Sequence, residues 1–266
     1  MIEFDRVSFG YNGAPIIKNV SFRINKGDFV AVVGENGAGK TTIAKLCNGL
    51  LKPAQGSVTV NGLDTRKTRA SRIARSVGFL FQNPDRQICQ STIREEIMFG
   101  LGFTLEDPAE REARCAAIME EFGFDGSRNP FSMSRGERQR IALASLLACR
   151  PEVLILDEPT TGLDWRECIQ IMDLIKKRNA AGCTVLMVCH DMELVQDYAQ
   201  RILVVSGGRL LGDGSMAKIM TDEALLSQAS VASAQIPALA TRFGGLFENV
   251  FTAEEMADII GRRCGA

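Results

Sequence analysis

The sequence predicts an α/β fold in which a mostly parallel sheet is covered by helices on both faces, and three observations support this. A glycine-rich segment, Gly34–Thr42, follows an apolar run of strand length and precedes a stretch with helical periodicity. From residue 131 onward, short apolar runs alternate with longer amphipathic stretches. The first 60 residues have the pattern of short strands separated by turns. Strands alternating with helices of this length are typical of parallel sheets buried on both faces.

The individual elements follow from apolar periodicity and from turn residues such as Asn12-Gly13 and Asn61-Gly62. Up to residue 60 we predict strands Ile2–Phe4, Val7–Phe9, Phe29–Val33 and Ser57–Val60, and a helix Thr41–Leu50. Residues 64–130 mix helix and loop, and Ala109–Phe122 has the spacing of an amphipathic helix. Beyond residue 131 we predict helix Arg135–Cys149, strand Val153–Leu156, helix Trp165–Ala181, strand Thr184–Cys189, helix Met192–Ala199 and strand Arg201–Val205. Residues from about 220 onward are richer in Ala and Ser and predict a small helical extension.

Composition narrows the class of protein. The 266 residues are 45% hydrophobic and 24% charged, which is ordinary for a soluble globular protein. The 31 Lys and Arg nearly balance the 32 Asp and Glu, so the chain lacks the basic charge expected of a nucleic-acid binder. The apolar runs are far shorter than the ~18 residues of a membrane span, and the N-terminal residues lack a signal-peptide pattern. We therefore expect a cytoplasmic protein.

The eight cysteines include no C-x-x-C pair. The sole histidine, His190, follows Cys189, and no further cluster of ligand residues accompanies them. We expect reduced thiols packed as small hydrophobic side chains.

Gly34–Thr42 matches the phosphate-binding pattern G-x-x-x-x-G-K-[ST], between a predicted strand and a predicted helix as that pattern requires. Glycines let the backbone wrap around phosphates, and the helix N-terminus adds partial positive charge. Lys40 would contact the β- and γ-phosphates of ATP, and Thr41 would offer its hydroxyl to Mg²⁺. The nucleotide-binding residues predicted here are Gly34, Asn36, Gly37, Ala38, Gly39, Lys40, Thr41 and Thr42. The simpler interpretation is a chance match in a glycine-rich turn.

Two adjacent carboxylates follow the predicted strand Val153–Leu156. The carboxyl ends of strands are where open α/β sheets place their ligand chemistry. Asp157 would hold the magnesium directly or through water, and Glu158 would polarise the attacking water. The alternative is an acidic loop that only caps the strand.

Ser134 and Glu137 fit the S-x-x-E capping box, which opens the predicted helix after Ser134. Such a helix end is positively polarised and carries a serine hydroxyl, so it also suits an anion. Both interpretations can hold together.

With these motifs in order, the chain resembles the ATP-binding subunit of an ABC transporter from about Ile2 to Gly214. The remaining residues that carry the resemblance are Tyr11 (the adenine-stacking aromatic), Gln82 (the Q-loop), Ser134–Gln139 (the signature), Thr161–Asp164 (the D-loop) and His190 (the switch histidine). In the family the Q-loop glutamine senses the γ-phosphate and magnesium and touches the membrane partner. Each residue also has a plain structural interpretation: packed aromatic, loop amide, helix N-cap or structural histidine.

The resemblance implies a P-loop ATPase of the ABC type, with a mixed sheet and an antiparallel β subdomain. It implies an ATP-binding domain over residues 1–219, a helical signature subdomain at about 83–150, and a helical extension over residues 220–266. Glu158, His190 and Gln82 would be catalytic, and Thr41, Gln82 and Asp157 would face the magnesium.

The resemblance also implies a dimer, as homodimer or heterodimer, in which each ATP lies between the glycine loop of one subunit and the signature of the other. Ser134, Arg135, Gly136 and Asp164 would then complete the opposite site. Arg135 departs from the usual L-S-G-G-Q signature, in which glycine stands at this position. Its side chain can add charge at the phosphate or point into solvent, and both orientations stay open here.

A narrower resemblance lies in Phe81–Gln87, F-Q-N-P-D-R-Q, which is similar to energy-coupling-factor importers, including the cobalt and nickel branch. Gln235–Pro237 and Phe251–Glu255 look like the C-terminal extension of those proteins. This resemblance implies a transmembrane coupling protein and a membrane substrate-binding protein as partners, a location on the cytoplasmic face of the membrane, and uptake of a metal ion or vitamin. The alternatives are a conventional ABC importer subunit and a soluble ABC-type assembly factor.

Overall fold

The computed structural model describes residues 1–247 and 249–264 and contains two sheets. The strands of the described residues are β1 (Ile2–Tyr11), β2 (Ala14–Ile24), β3 (Phe29–Val33), β4 (Gln55–Val60), β5 (Leu63–Asp64), β6 (Val77–Leu80), β7 (Val153–Asp157), β8 (Thr184–Val188), β9 (Arg201–Ser206) and β10 (Arg209–Ser215). The order β2-β1-β4-β5 forms an antiparallel sheet, and β10-β9-β3-β8-β7-β6 forms the main sheet. Among the strands of the described residues, only β10 pairs antiparallel in the main sheet. The predicted mixed sheet with an antiparallel subdomain is confirmed.

Helices cover the main sheet. Those of the described residues are α1 (Lys40–Cys47), α2 (Ala70–Ile73), α3 (Ile93–Thr104), α4 (Pro108–Phe122), α5 (Arg135–Ala148), α6 (Trp165–Ala180), α7 (Met192–Tyr198), α8 (Met216–Met220), α9 (Glu223–Gln228), α10 (Gln235–Phe243) and α11 (Ala253–Cys264). Every predicted helix is present, with its ends shifted by at most a few residues. Within residues 1–247 and 249–264, no helix is both long enough and apolar enough to cross a bilayer.

The main sheet divides the interior into two cores, and β3 shows how. Val30 and Val32 belong to the core shared with α1 and the antiparallel sheet, whereas Ala31 and Val33 belong to the core shared with α5, α6 and α7. Successive side chains of a strand point to opposite faces, so a strand buried on both faces is apolar throughout. All five residues of β3 are buried, as are all five of β7 and of β8.

Two predicted N-terminal strands are one strand. β1 runs from Ile2 to Tyr11, and its pairing with β2 shifts register between Phe4 and Val7. Arg6 has a positive φ of 47° inside this interval, which identifies a bulge. The bulge breaks the period-two alternation, and this explains why the pattern predicts two short strands instead of one long one.

The helical subdomain consists of α3, α4 and α5 packed against one another. The sequence pattern does not predict α3 as a separate helix, because Gly100 and Gly102 interrupt its apolar periodicity. Its N-terminus carries a readable signal, a capping box in which Thr92 and Glu95 bond each other's backbone.

The C-terminal helices pack in two groups. Ile219, Met220 and Leu226, from α8 and α9, join the core beneath the main sheet. Ala240, Val250 and Met256 form a small separate core between α10 and α11. The predicted helical extension is therefore present, while a domain boundary at residue 220 stays a prediction.

Candidate active site

The carboxyl ends of β3, β7 and β8 lie side by side at one edge of the main sheet, because these strands are parallel neighbours. The glycine loop follows β3, the two carboxylates end β7, and His190 follows β8. Thr41 and Asp157 are 116 residues apart in the sequence, and Glu158 and His190 are 32 apart, yet the sheet order brings all of these groups together.

The loop between β3 and α1 needs glycine at specific positions. Gly34 has φ 150°, and a Cβ there would lie 1.9 Å from the carbonyl oxygen of Val205. Gly39, the N-cap of α1, has φ 103°, and a Cβ there would lie 2.6 Å from Ile17 Cδ1. Gly37 has φ 84° with open space around it, so its requirement is conformational only.

Lys40 lies inside the loop with 8% of its surface exposed. Its Nζ donates hydrogen bonds to the carbonyl oxygens of Gly34 (2.7 Å) and Glu35 (2.9 Å). Burial lowers the pKa of Lys40, while the nearby Glu158 and Asp157 carboxylates act to raise it. A buried ammonium held only by carbonyl oxygens favours an anionic ligand, because phosphate oxygens are stronger acceptors than neutral carbonyls.

Thr41 and Asp157 join the loop to the end of β7. The Thr41 hydroxyl donates to Asp157 Oδ1 at 3.0 Å, and Asp157 is 2% exposed. Burial raises the pKa of Asp157, and the bond from Thr41 opposes that rise. A hydroxyl beside a buried carboxylate is a donor set of hard oxygens, which fits Mg²⁺ held together with phosphates.

Glu158 is 9% exposed, and its Oε2 lies 2.6 Å from His190 Nδ1. Burial raises the pKa of this carboxyl, and His190 acts to lower it. Glu158 also has a positive φ of 56°, an unfavourable conformation for a residue with a side chain. Such backbone strain is concentrated at functional sites. The His190 side chain is 69% exposed, so it remains accessible at this edge of the sheet.

Gln82 follows β6, the neighbour of β7 in the main sheet, and its side chain is exposed. Its backbone carbonyl accepts a hydrogen bond from Arg135 Nη2 at 3.3 Å. The structure therefore links Gln82 to the signature segment of its own chain. Arg135 is itself exposed, and its role at the phosphate of a partner subunit stays a prediction.

Ser134 and Asp164 are the N-caps of α5 and α6. The Ser134 hydroxyl accepts from the backbone N–H of Glu137, and Asp164 Oδ1 accepts from the backbone N–H of Glu167. Each glutamate bonds back to its cap, so both capping boxes are complete. Gly136 allows the two ends to approach, since a Cβ on it would lie 3.0 Å from the carbonyl oxygen of Gly162.

Tyr11 lies at the end of β1 in the antiparallel sheet and is 45% exposed, with its ring packed edge-on against Phe9. Its strand partner β2 contacts the loop, because Ile17 approaches Gly39. The hairpin that carries Tyr11 is therefore anchored beside the phosphate loop.

Comparison with known proteins decides the family. The family model described as ABC transporter matches residues 17–161, which is more than half of the chain. The chain belongs to the ABC transporter family of ATP-binding ATPases. An energy-coupling factor transporter ATP-binding protein, EcfA of Methanothermobacter thermautotrophicus, is 39% identical over 239 residues, covering 87% of this chain and 76% of the relative.

A putative ABC transporter ATP-binding protein of Caldanaerobacter subterraneus subsp. tengcongensis is 41% identical over 266 residues, covering 98% of this chain. The chain spans only 46% of the length of that relative.

Two solved ABC structures have the same fold. The dimeric post-hydrolysis state of the cassette MJ0796 bound to ADP and phosphate has a TM-score of 0.73 and 27% identity, over 81% of this chain and 99% of that one. The cbiO1 protein of Clostridium perfringens, described as part of the complex cbiONQ, has a TM-score of 0.75 and 26% identity, over 90% and 97%. The predicted ABC ATPase fold is thereby confirmed.

Two contacts at the site of this ABC ATPase were not predicted from the sequence patterns. Glu35 Oε1 accepts from the Ser206 hydroxyl at 2.9 Å and so ties the loop to the end of β9. Asp85 forms an ion pair with Arg138 at 2.7 Å. Both contacts join segments that are distant in the sequence, and local sequence patterns cannot predict such pairs. The F-Q-N-P-D-R-Q motif includes Asp85, but it does not indicate that Arg138 is the partner of Asp85.

Proposed function

We propose that the chain is the ATP-hydrolysing subunit of an energy-coupling-factor-type ABC importer, which closes a dimer around Mg-ATP to drive a membrane coupling protein. Two contacts at the carboxyl edge of the main sheet support ATP hydrolysis: Thr41 bonds Asp157, and Glu158 bonds His190. Lys40 in the glycine loop supplies the positive charge that holds the phosphates. Glu158 at the end of β7 supplies the carboxylate that activates water.

In this proposal Lys40 exchanges its two carbonyl partners for the β- and γ-phosphates as ATP enters the loop. Thr41 and Asp157 would hold a magnesium ion, which would neutralise phosphate charge. Glu158 accepts the proton of the attacking water, and its raised pKa makes it a stronger base than an exposed glutamate. His190 keeps the Glu158 carboxylate aligned through its Nδ1. Gln82, which follows the neighbouring strand β6, would help to orient the water and hold the magnesium.

The second half of each site comes from the partner subunit in this proposal. Ser134 presents a hydroxyl at the exposed N-terminus of α5, where backbone N–H groups and the helix dipole favour a phosphate. Gly136 and Asp164 lie beside it through the contact with Gly162. Tyr11 stacks on the adenine at the other side of the loop.

Membrane coupling is assigned to a groove between the main sheet and the helical subdomain. This coupling groove has a volume of about 870 Å³ and is lined by residues that include Leu50, Phe81, Gln87 and Phe103. Leu50 and Phe103 are 49% and 67% exposed. An apolar groove of this size fits the apolar face of an amphipathic helix. Phe81 lines the groove, and Gln82 is the next residue in the chain. The EcfA and cbiO1 likenesses favour a coupling protein of an energy-coupling-factor transporter, and we propose a metal ion or vitamin as its cargo.

Co-expression with transmembrane coupling proteins encoded in the same genome tests this assignment. Phe103→Asp should reduce co-purification at least about tenfold, because it places a charge in the apolar groove. Phe243→Asp is the matched control, since Phe243 is 65% exposed on α10 outside the groove. ATP hydrolysis by a chain that never associates with a membrane protein would instead favour the soluble assembly factor. Equal loss in both variants would remove the groove from the proposal.

A further inference from the structure

The segment after β6 lies along one face of the signature helix α5. Gln82 accepts from Arg135, Asp85 pairs with Arg138, and Gln87 donates through Nε2 to the carbonyl oxygen of Ala142 at 3.1 Å. The helix positions 135, 138 and 142 are spaced by three and four residues, so they share one helix face. We refer to these three contacts as the helix–loop link.

The link is supported at both ends. Asn83 Oδ1 accepts from the backbone N–H of Asp85 at 3.1 Å and shapes the short turn that carries it. Gln87 Oε1 accepts from the backbone N–H of Phe81 at 3.3 Å, next to the coupling groove. Arg138 also donates to the carbonyl oxygen of Met133, directly before the signature serine. The ion pair therefore holds the loop and the start of α5 in one arrangement.

Arg135 extends the link to the D-loop. A Cβ on Gly162 would lie 3.4 Å from Arg135 Cδ, so the aliphatic part of Arg135 packs over this glycine. One side chain thus contacts the carbonyl of Gln82 and the turn that leads to Asp164. The arginine that departs from the usual signature has a defined position in its own subunit.

We propose that Arg135, Arg138 and Asp85 are positioning residues that make Gln82 and the signature serine move as one unit. This inference rests on the proposed function and adds its mechanism of coupling. Movement of Gln82 toward the ligand of its own loop reorients α5, and with it the Ser134 hydroxyl offered to the partner subunit. The groove occupant reaches the same unit through Phe81 and Gln87.

The ion pair gives the cleanest test, because Asp85 and Arg138 have no part in the proposed ATP contacts. We expect Asp85→Asn and Arg138→Gln each to lower kcat of the full chain roughly tenfold, since small misplacements of an active-site group are costly. KM for ATP should stay within about twofold, because the phosphate loop is unchanged. The exchange variant, Asp85→Arg with Arg138→Asp, should recover part of the lost kcat, because it restores the ion pair but not the bond from Arg138 to the Met133 carbonyl.

Arg140→Gln is the matched control on the same helix. Its guanidinium donates to the carbonyl oxygen of Phe122 at 2.9 Å and lies over the Phe124 ring, away from the loop. Its kcat should stay within about twofold of the parent. Thermal unfolding of each variant reports on folding, and the half-exposed Asp85 keeps the test usable if Arg138→Gln does not fold.

Two results would overturn the inference: parental kcat in both single variants, or an exchange variant that recovers nothing although both singles are impaired. ATP hydrolysis by the parent chain distinguishes failure of this inference from failure of the proposed function. A parent that does not hydrolyse ATP refutes the proposed function, whereas a hydrolysing parent with indifferent variants refutes the link alone.

Discussion

Charged side chains at the phosphate loop are buried: Lys40, Asp157 and Glu158 are 8%, 2% and 9% exposed. At the signature end, Ser134 and Asp164 are exposed, and each caps a helix of its own chain. The loop end therefore holds its charges in the interior of one chain, whereas the signature end exposes two capped helix N-termini at the surface. This difference in burial indicates that the two regions have different functions. One holds the nucleotide within a subunit, and the other is a preformed surface presented to a second subunit.

Glu158→Gln breaks the buried region at its catalytic end and has the largest expected effect. The amide keeps the shape of the carboxylate but cannot accept the water proton, so kcat should fall by about 10²–10⁴-fold. ATP affinity should persist because Lys40 and Thr41 are unchanged. Steady-state hydrolysis with ATP titration measures both quantities. Glu152→Gln, an exposed glutamate directly before β7, is the control; unchanged hydrolysis in Glu158→Gln would remove Glu158 from the base role.

Ser134→Asp sharpens the comparison at the exposed region. Aspartate caps a helix about as well as serine, so the stability of α5 should be kept. A new negative charge facing the partner's phosphates should lower kcat at least about 10²-fold, because apposed like charges cost several kcal/mol. ATP affinity of the isolated subunit, measured by calorimetry, should not change.

Ser215→Asp at the N-cap of α8 is the matched control for Ser134→Asp. Equal hydrolysis in the parent and in Ser134→Asp would contradict a role for this helix end in the partner's site.

Asp157→Asn has the smallest expected effect and concerns stability without ligand. Burial raises the pKa of Asp157, so folding favours its protonated form and is penalised as the carboxyl ionises. The penalty is absent below the unfolded pKa of about 4, grows as pH rises toward the folded pKa, and is complete above it. Asparagine removes it, so Tm at neutral pH should rise by roughly 2–4 °C, and the gain should vanish in acid.

Asp197→Asn on α7 is the control for this stability effect, because that carboxyl is exposed. Thermal unfolding over a pH series measures both variants. A gain in Tm that is the same at every pH would contradict burial of charge as its cause.

Local patterns predicted the parts of the site that are contiguous in sequence. The loop needs glycine where the backbone has positive φ, and the strand before Asp157 must be apolar because both its faces are buried. These requirements are visible within a few residues. The capping boxes at Ser134 and Asp164 are equally local: the first was predicted in full, and the second as an N-cap.

The remaining contacts depend on tertiary packing. Arg135 bonds a carbonyl 53 residues away, so its orientation depends on how α5 lies against the end of β6. The four residues of β6 are too few to show periodicity, and the strand was not predicted. Neither the direction of Arg135 nor the partner of Asp85 follows from a local pattern, because both depend on how α5 packs against the segment after β6.

Mixing two inactive variants tests most directly whether each ATP site is built from two chains. Lys40→Ala disables the loop, Ser134→Asp disables the signature surface, and each alone should be nearly inactive. A mixed dimer contains one site with an intact loop from one chain and an intact signature from the other. The mixture should therefore recover ATP hydrolysis, up to roughly a quarter of the parental rate for random pairing. Mixed dimers that form but hydrolyse no more ATP than either variant alone would contradict the two-chain site.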